Sequence, residues 1–468
     1  MKVVLLVLYF AVLIGIGLYC RKHATDVDGF VLGGRNVGPW LTAFAYGTSY
    51  FSAVVFVGYA GQFGWKYGIA ATWAGIGNAL IGSLMAWFIL GRRTRIMTRH
   101  LDTATMPQFF EKRFSSPSLK IGAAIIIFIF MIPYTASLYN GLSRLFGMAF
   151  SIDYSVCILL MAVLTAIYVI AGGYMATAIN DFIQGVVMLI GISAVIYAVL
   201  ETKGGFVSAL DGLARITDDK ISSTPGIFAS FFGTDPLNLL FVVILTSLGT
   251  WGLPQMVQKF YAIKNDQAIQ KGTVISTLFA FVVAGGCYFL GGFGRLFSDQ
   301  IDIAANGYDS IIPTMLSGLS DGMIALVVIL VLSASMSTLS SLVIVSASTL
   351  TLDLIRDNFA KNMSEPRQVL LIRILVVVFI AISAVLALVQ YKSSVNFIAQ
   401  LMGVSWGAMA GAFLAPFMYS LYSKWVSTSA CWACHCRTKP PSDAMRRRGG
   451  VRFAAQGCRA GCPCLAVP

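Results

Sequence analysis

The chain has 468 residues, of which 57% are hydrophobic and only 11% charged, and its mean hydropathy is +0.79. A soluble domain has roughly a quarter of its residues charged, so a chain this long and this poor in charge lacks the polar surface to cover soluble cores. The net charge of +13 would suggest nucleic acid in a soluble protein, but its concentration between apolar runs excludes nucleic acid and points to a lipid bilayer as partner.

A bilayer core needs about 20 apolar residues per helix. Hydropathy and helix breakers predict eleven spanning helices, at about 3–20, 38–60, 68–90, 120–146, 153–172, 176–200, 236–256, 274–295, 321–352, 368–388 and 396–422. The first could pass for a signal peptide. However, Val3–Tyr19 outruns the usual apolar region, and Arg21 and Lys22 stand where small cleavage-site residues would be, which reads as an uncleaved first helix. Cys20, Cys157 and Cys287 fall singly in apolar segments and read as packing residues.

Arg92, Arg93, Arg95, Arg99, Lys112, Arg113 and Lys120 share the connection between the third and fourth helices. With Arg21, Lys22, Arg35, Lys259, Lys264, Lys271, Arg356, Lys361 and Arg367, they give one side twice the Lys and Arg of the other. The positive-inside rule makes that side cytoplasmic and places the N-terminus outside, in a multi-pass plasma-membrane protein.

With 1–37 as a leading helix and first cytoplasmic loop, ten helices remain in two sets of five, 38–200 and 236–426, separated by an outer loop at 201–235. The first set opens on a helix with Gly47, Thr48, Ser49 and Ser52 in mid-span, and the second on one with Gly249, Gly252 and Pro254. Interrupted helices at corresponding positions of two halves point to an inverted-repeat transporter. Broken backbone at membrane depth is tolerated only where it lines a cavity or meets an ion. The fold expected is therefore an all-α integral membrane protein with an inverted five-plus-five repeat and one leading helix. Residues 427–468 form an atypical Cys- and Arg-rich tail. Cys431, Cys434, His435, Cys436, Cys458, Cys462 and Cys464 could suit zinc or an iron–sulfur cluster. No periodic element separates the two cysteine clusters, which favours an unstructured tail without metal.

Helix nine carries the densest chemistry: Ser333, Ser335, Ser337, Thr338, Ser340 and Ser341 in the middle of an apolar span. Ser337, Ser340 and Ser341 share one face by their spacing. Hydroxyls and freed carbonyls supply the neutral oxygens that a hard cation prefers, whereas a lone serine would more simply serve close helix packing. Asp181 lies just inside helix six. It is either an interfacial capping acid or an intramembrane functional one. The pattern is not that of an enzyme: His23, His100 and His435 fall in loops or the tail, and no His or Cys pairs with an acid inside a span.

Asp28-Gly29-Phe30-Val31-Leu32-Gly33-Gly34-Arg35, Gly172-Gly173-Tyr174 with Asn180-Asp181-Phe182-Ile183-Gln184-Gly185, Gly252-Leu253-Pro254-Gln255 with Lys259-Phe260, and Met336-Ser337-Thr338-Leu339-Ser340-Ser341 with Thr351-Leu352-Asp353 occur in this order. Together they resemble the sodium:solute symporter family, over about residues 1–426. The resemblance implies the leucine-transporter-type fold. It also implies a main sodium site built from carbonyls at Thr48, Phe51 and Ala334 and hydroxyls of Ser337 and Thr338. In some members a second sodium would fall on Asp181, Ser340 and Ser341. A small organic solute, such as an amino acid or organic acid, would sit between helices two, four and seven, near Tyr50, Val54, Val55, Asn140, Thr250, Trp251 and Gln255. The family's proline carriers have an acid at the place of Tyr50 and aromatics at Thr246 and Thr250. Its sugar carriers have polar residues at Val54 and Val55. The resemblance thus implies a monomeric carrier that couples inward sodium flow to solute uptake by alternating access. A channel or a non-transporting solute sensor is the rival. A channel would want a continuous polar pore, and a sensor a soluble output domain.

Overall fold

The structure, a computed structural model, describes residues 2–150, 153–218, 221–392 and 398–436. Among these residues the regular structure is helical, with two isolated β-bridges. The surface is apolar and the interior partly polar: Phe88, Leu159, Leu278 and Val389 are exposed, whereas Ser333, Ser337, Thr338 and Asp181 are buried. That inversion suits lipid, where apolar side chains meet a solvent like themselves and polar groups must find partners inside the bundle.

Among the described residues, seven helices are long and apolar enough to cross a bilayer, or eight if one bent pair counts as a span. Two of them, Val54–His100 and Tyr154–Glu201, run for 47 and 48 residues. As straight helices they would be about 70 Å long, more than twice the hydrocarbon core. Each contains a glycine at positive φ, Gly68 at 65° and Gly173 at 55°. A Cβ at Gly68 would come within 2.0 Å of Phe228 O, and one at Gly173 within 2.9 Å of Phe30 O. These are the places, near 68 and 172–176, where the sequence reading divides adjacent helices.

Both halves open on a broken helix. The first runs Pro39–Tyr50, loses helical geometry at Phe51 and Ser52, and resumes through Val54–Tyr59 and Ala60–Tyr67. Gly47, Thr48 and Ser49 therefore stay helical, and the break falls at the end of the stretch expected to hold it. The second runs Pro236–Leu248, tightens over Gly249–Gly252 and becomes extended at Leu253. It restarts as Pro254–Ala262, and the two halves are bent by 52°. Proline lacks the amide that a first turn leaves unused, so it starts the inner half-helix at little cost. The two broken spans are joined at one end: Val37 N–H donates to Ala262 O and Lys264 N–H to Val37 O, each at 3.1 Å. Toward the other end of the bundle, Gly64 lets the first broken span touch Asp266–Gly292 backbone to backbone, since a Cβ there would lie 2.0 Å from Gly291 O.

Two segments depart from expectation. The cation-rich connection is not a loop but two helices, Arg92–His100 and Met106–Phe114, the second capped by Thr105 Oγ1 accepting from Gln108 N–H. Side-chain capping satisfies an amide that the first turn leaves free. The tail expected to be unstructured forms a helix at Thr428–Cys436. Trp432 lies over Gly122, and the His435 ring stands edge-on to Phe110 and Phe413 at centroid distances of 5.7 and 5.3 Å. Cys431, a thiol, and Cys434, which is disulfide-bonded, are both buried with it. Cys458, Cys462 and Cys464 lie outside the described residues.

Candidate functional site

The half-helix Pro39–Tyr50 stops in mid-span, so carbonyls of its last turn lack an intrahelical donor and its negative dipole end faces the protein interior. Thr48 O is one of these carbonyls. Across the helix boundary, Ser337 Oγ lies 3.3 Å and Thr338 Oγ1 3.2 Å from it. Ser337 Oγ is also 2.8 Å from Ser333 O and 3.2 Å from Ala334 O, and Thr338 Oγ1 is 3.1 Å from Ala334 O. Each hydroxyl has one proton for these carbonyls and keeps lone pairs for a cation. Thr48, Ala334, Ser337 and Thr338 thus converge in a buried oxygen cluster without a carboxylate. Phe51 occupies the break itself, with its N–H on Gly47 O at 3.2 Å and its ring on Tyr50 at 4.5 Å between centroids.

The second expected set is arranged differently. Asp181 is fully buried, so it does not cap an exposed helix end. Ser340 Oγ donates to Ser337 O at 2.9 Å. Ser341 Oγ is 2.9 Å from Ser49 Oγ and accepts from Lys259 Nζ at 2.9 Å. Lys259 Nζ lies 3.9 Å from Asp181 Oδ2 and 5.2 Å from the centroid of the Tyr174 ring. Neither Asp181 oxygen has a hydrogen-bond partner. Lys259, expected from the sequence among the cytoplasmic loop cations, is instead 1% exposed inside the half-helix Pro254–Ala262 of the second broken span. Pro254 restarts the helix and carries Lys259 along its buried face. An ionisable residue seven places after Gly252, within an otherwise uncharged half-helix, is the signal that would have found it.

Of the solute candidates, Tyr50, Val54, Val55, Thr250, Trp251 and Gln255 are buried around the two breaks. Several are committed to neighbours. Tyr50 OH donates to Thr246 O at 2.6 Å and lies 3.0 Å from Asn78 Oδ1. Thr250 Oγ1 donates to Ser247 O at 2.8 Å and Trp251 Nε1 to Ile81 O at 3.1 Å. Asn140 pairs with Gln390 Oε1 at 2.8 Å and accepts from the Tyr154 hydroxyl. Gln255 alone among these has both side-chain polar atoms buried without a partner. Residues that the sequence reading did not single out include Asn78, which also accepts from Ser247, and Trp406, whose ring lies 6.3 Å from that of Tyr50. Tyr168 OH donates to Met336 O at 2.9 Å. These partners come from distant helices and have no mark in local spacing.

Comparison with known proteins bears on family and fold. The model of the sodium:solute symporter family matches residues 30–434. The osmoregulated proline transporter OpuE of Bacillus subtilis is 30% identical over 421 residues, covering 89% of this chain and 83% of that protein. Sodium/proline symporter 2 of Staphylococcus saprophyticus is 30% identical over 439 residues, covering 92% and 83%. The solved structure of a Na+-coupled sialic acid symporter in a substrate-bound, outward-open state superposes with a TM-score of 0.77 at 16% identity, over 98% of this chain and 95% of that one.

Proposed function

This chain belongs to the sodium:solute symporter family, and we propose that it holds its sodium between the carbonyls of Thr48, Phe51 and Ala334 and the hydroxyls of Ser337 and Thr338. It is a multi-pass membrane transporter that couples sodium to the uptake of a small organic solute, and not an enzyme. The observation that carries the site is the approach of Ser337 Oγ and Thr338 Oγ1 to the broken-helix carbonyl of Thr48. Neutral oxygens and a half-helix dipole suit a monovalent cation that must also leave, because a buried carboxylate at this point would hold it more tightly.

The solute lies beside the breaks, with Gln255 as its polar anchor and Tyr50, Val54, Val55, Asn140, Thr250 and Trp251 around it. Its chemical class is that of an amino acid or organic acid. Named relatives carry proline, yet Tyr50, Thr246 and Thr250 replace the acid and the aromatics of such carriers, so the solute need not be proline. The chain acts as a monomer in the plasma membrane, N-terminus outside. Counting the bent pair as one span, dividing the two longest helices at Gly68 and Gly173 and adding the leading helix gives eleven spans: 1–37 leads, 38–200 and 236–426 are the two repeats, and 201–235 is the outer loop. Sodium and solute raise each other's affinity because both favour the same closed arrangement of the broken helices.

Sodium binding to the purified protein tests the site. Ser337→Ala and Thr338→Ala should each raise the half-saturating sodium concentration about tenfold or more, as a lost ligand costing about 1.4 kcal/mol or more requires. Both variants should still reach the membrane. Sodium affinity unchanged in both would overturn the assignment.

A further inference from the structure

We propose that the Lys259 ammonium is the resident cation of the second site, standing where a second sodium would bind, so that this carrier takes up one sodium per chain. The inference rests on the symporter reading above and adds the ion count to it. Its basis is geometric. Lys259 Nζ is 2.9 Å from Ser341 Oγ and 3.9 Å from Asp181 Oδ2, two of the three groups expected to hold the second ion. All of them are closed to water: Asp181 is 0%, Lys259 1%, Ser340 1% and Ser341 2% exposed. The buried groups packed beside them are neutral, with Tyr174 under the ammonium and the Gln184 amide donating to Tyr9 OH at 3.0 Å. One carboxylate therefore faces one ammonium.

A sodium placed against Asp181 and Ser341 would set two positive charges on a single carboxylate, at a few ångströms and without water between them. Such like charges repel strongly in a site of low dielectric, and among the described residues no second anion is paired with them to offset the repulsion. Lysine is suited to the place, as a compact point charge on a flexible stem that offers three donors. Ser341 takes one donor and passes the contact on to Ser49 at 2.9 Å. Ser49 neighbours Thr48, whose carbonyl belongs to the main site. Without the ammonium, Asp181, Ser340 and Ser341 would present a carboxylate and two hydroxyls to the same space, which is a sodium ligand set.

Counting bound sodium decides it, with radioactive sodium as the only probe and the full-length protein in lipid nanodiscs. Wild type should bind one sodium per chain. Lys259→Met, which keeps length and loses charge, should bind two, and adding Asp181→Asn should return the count to one. Lys259→Gln repeats the test with a second neutral side chain. Two ions on wild type would overturn the proposal whether or not either variant folds. So would a single ion on a folded Lys259→Met protein whose main-site affinity is unchanged. Wild type that binds no sodium would instead overturn the symporter site itself.

Discussion

Gln255 follows the proline that restarts the second broken helix, and its amide is buried with neither oxygen nor nitrogen bonded. A buried amide without partners costs folding free energy rather than supplying it. Gln255→Leu should therefore leave thermal stability unchanged or raised by about 1 kcal/mol. If Gln255 anchors the solute, the same change should cut uptake at saturating sodium at least tenfold. Full uptake by Gln255→Leu would remove it from the solute site. Legibility at this scale depends on where partners lie in the chain. Ser337 and Thr338 stand in a run of hydroxyls within an apolar span, and the family resemblance singles them out of that run. Lys259 was assigned to a loop, since its partners Asp181 and Ser341 stand 78 and 82 residues away and only the fold joins them.

Several of the helical interruptions fall at glycine or proline, and those are the ones that the sequence predicts well. Gly249, Gly252 and Pro254 stand at the bend itself. In the first broken helix the visible signal was Gly47, yet the chain leaves helical geometry only at Phe51 and Ser52. Gly47 serves packing instead, because a Cβ there would come within 2.3 Å of the Phe279 ring. Gly173 has a sharper requirement, with φ 55° and ψ −149° and the Phe30 carbonyl beside it. Gly173→Val should cost about 3 kcal/mol or more, combining strained backbone with overlap. The expected readout is loss of folded protein or a lower melting temperature. An unchanged melting temperature would show that the turn tolerates a side chain. The helix Thr428–Cys436 was missed for the opposite reason: a run of cysteine, alanine and tryptophan has no polar face to set a helical period.

For the whole molecule, the tail helix packs at the end of the bundle that carries Phe110 and Phe413, away from the proposed sodium ligands. Truncation after Lys424 removes the residues packed on Phe110, Phe413 and Gly122. It should lower stability by about 2–4 kcal/mol and leave sodium affinity within about twofold, since none of the proposed ligands lies there. A large loss of sodium affinity would tie the tail to the ion site. The Asp181–Lys259 pair has a consequence of another kind. Its net charge is zero whether the proton sits on the amine or the carboxylate. The sodium-free, solute-free protein therefore moves no net charge from this site when it reorients, and membrane voltage should not drive that step. The protein loaded with sodium and a zwitterionic solute carries the single charge of its sodium, worth about 2.3 kcal/mol per 100 mV if it crosses the whole field. Wild type without sodium should give no transient current on a voltage jump. Lys259→Met, with Asp181 left unpaired, should produce one.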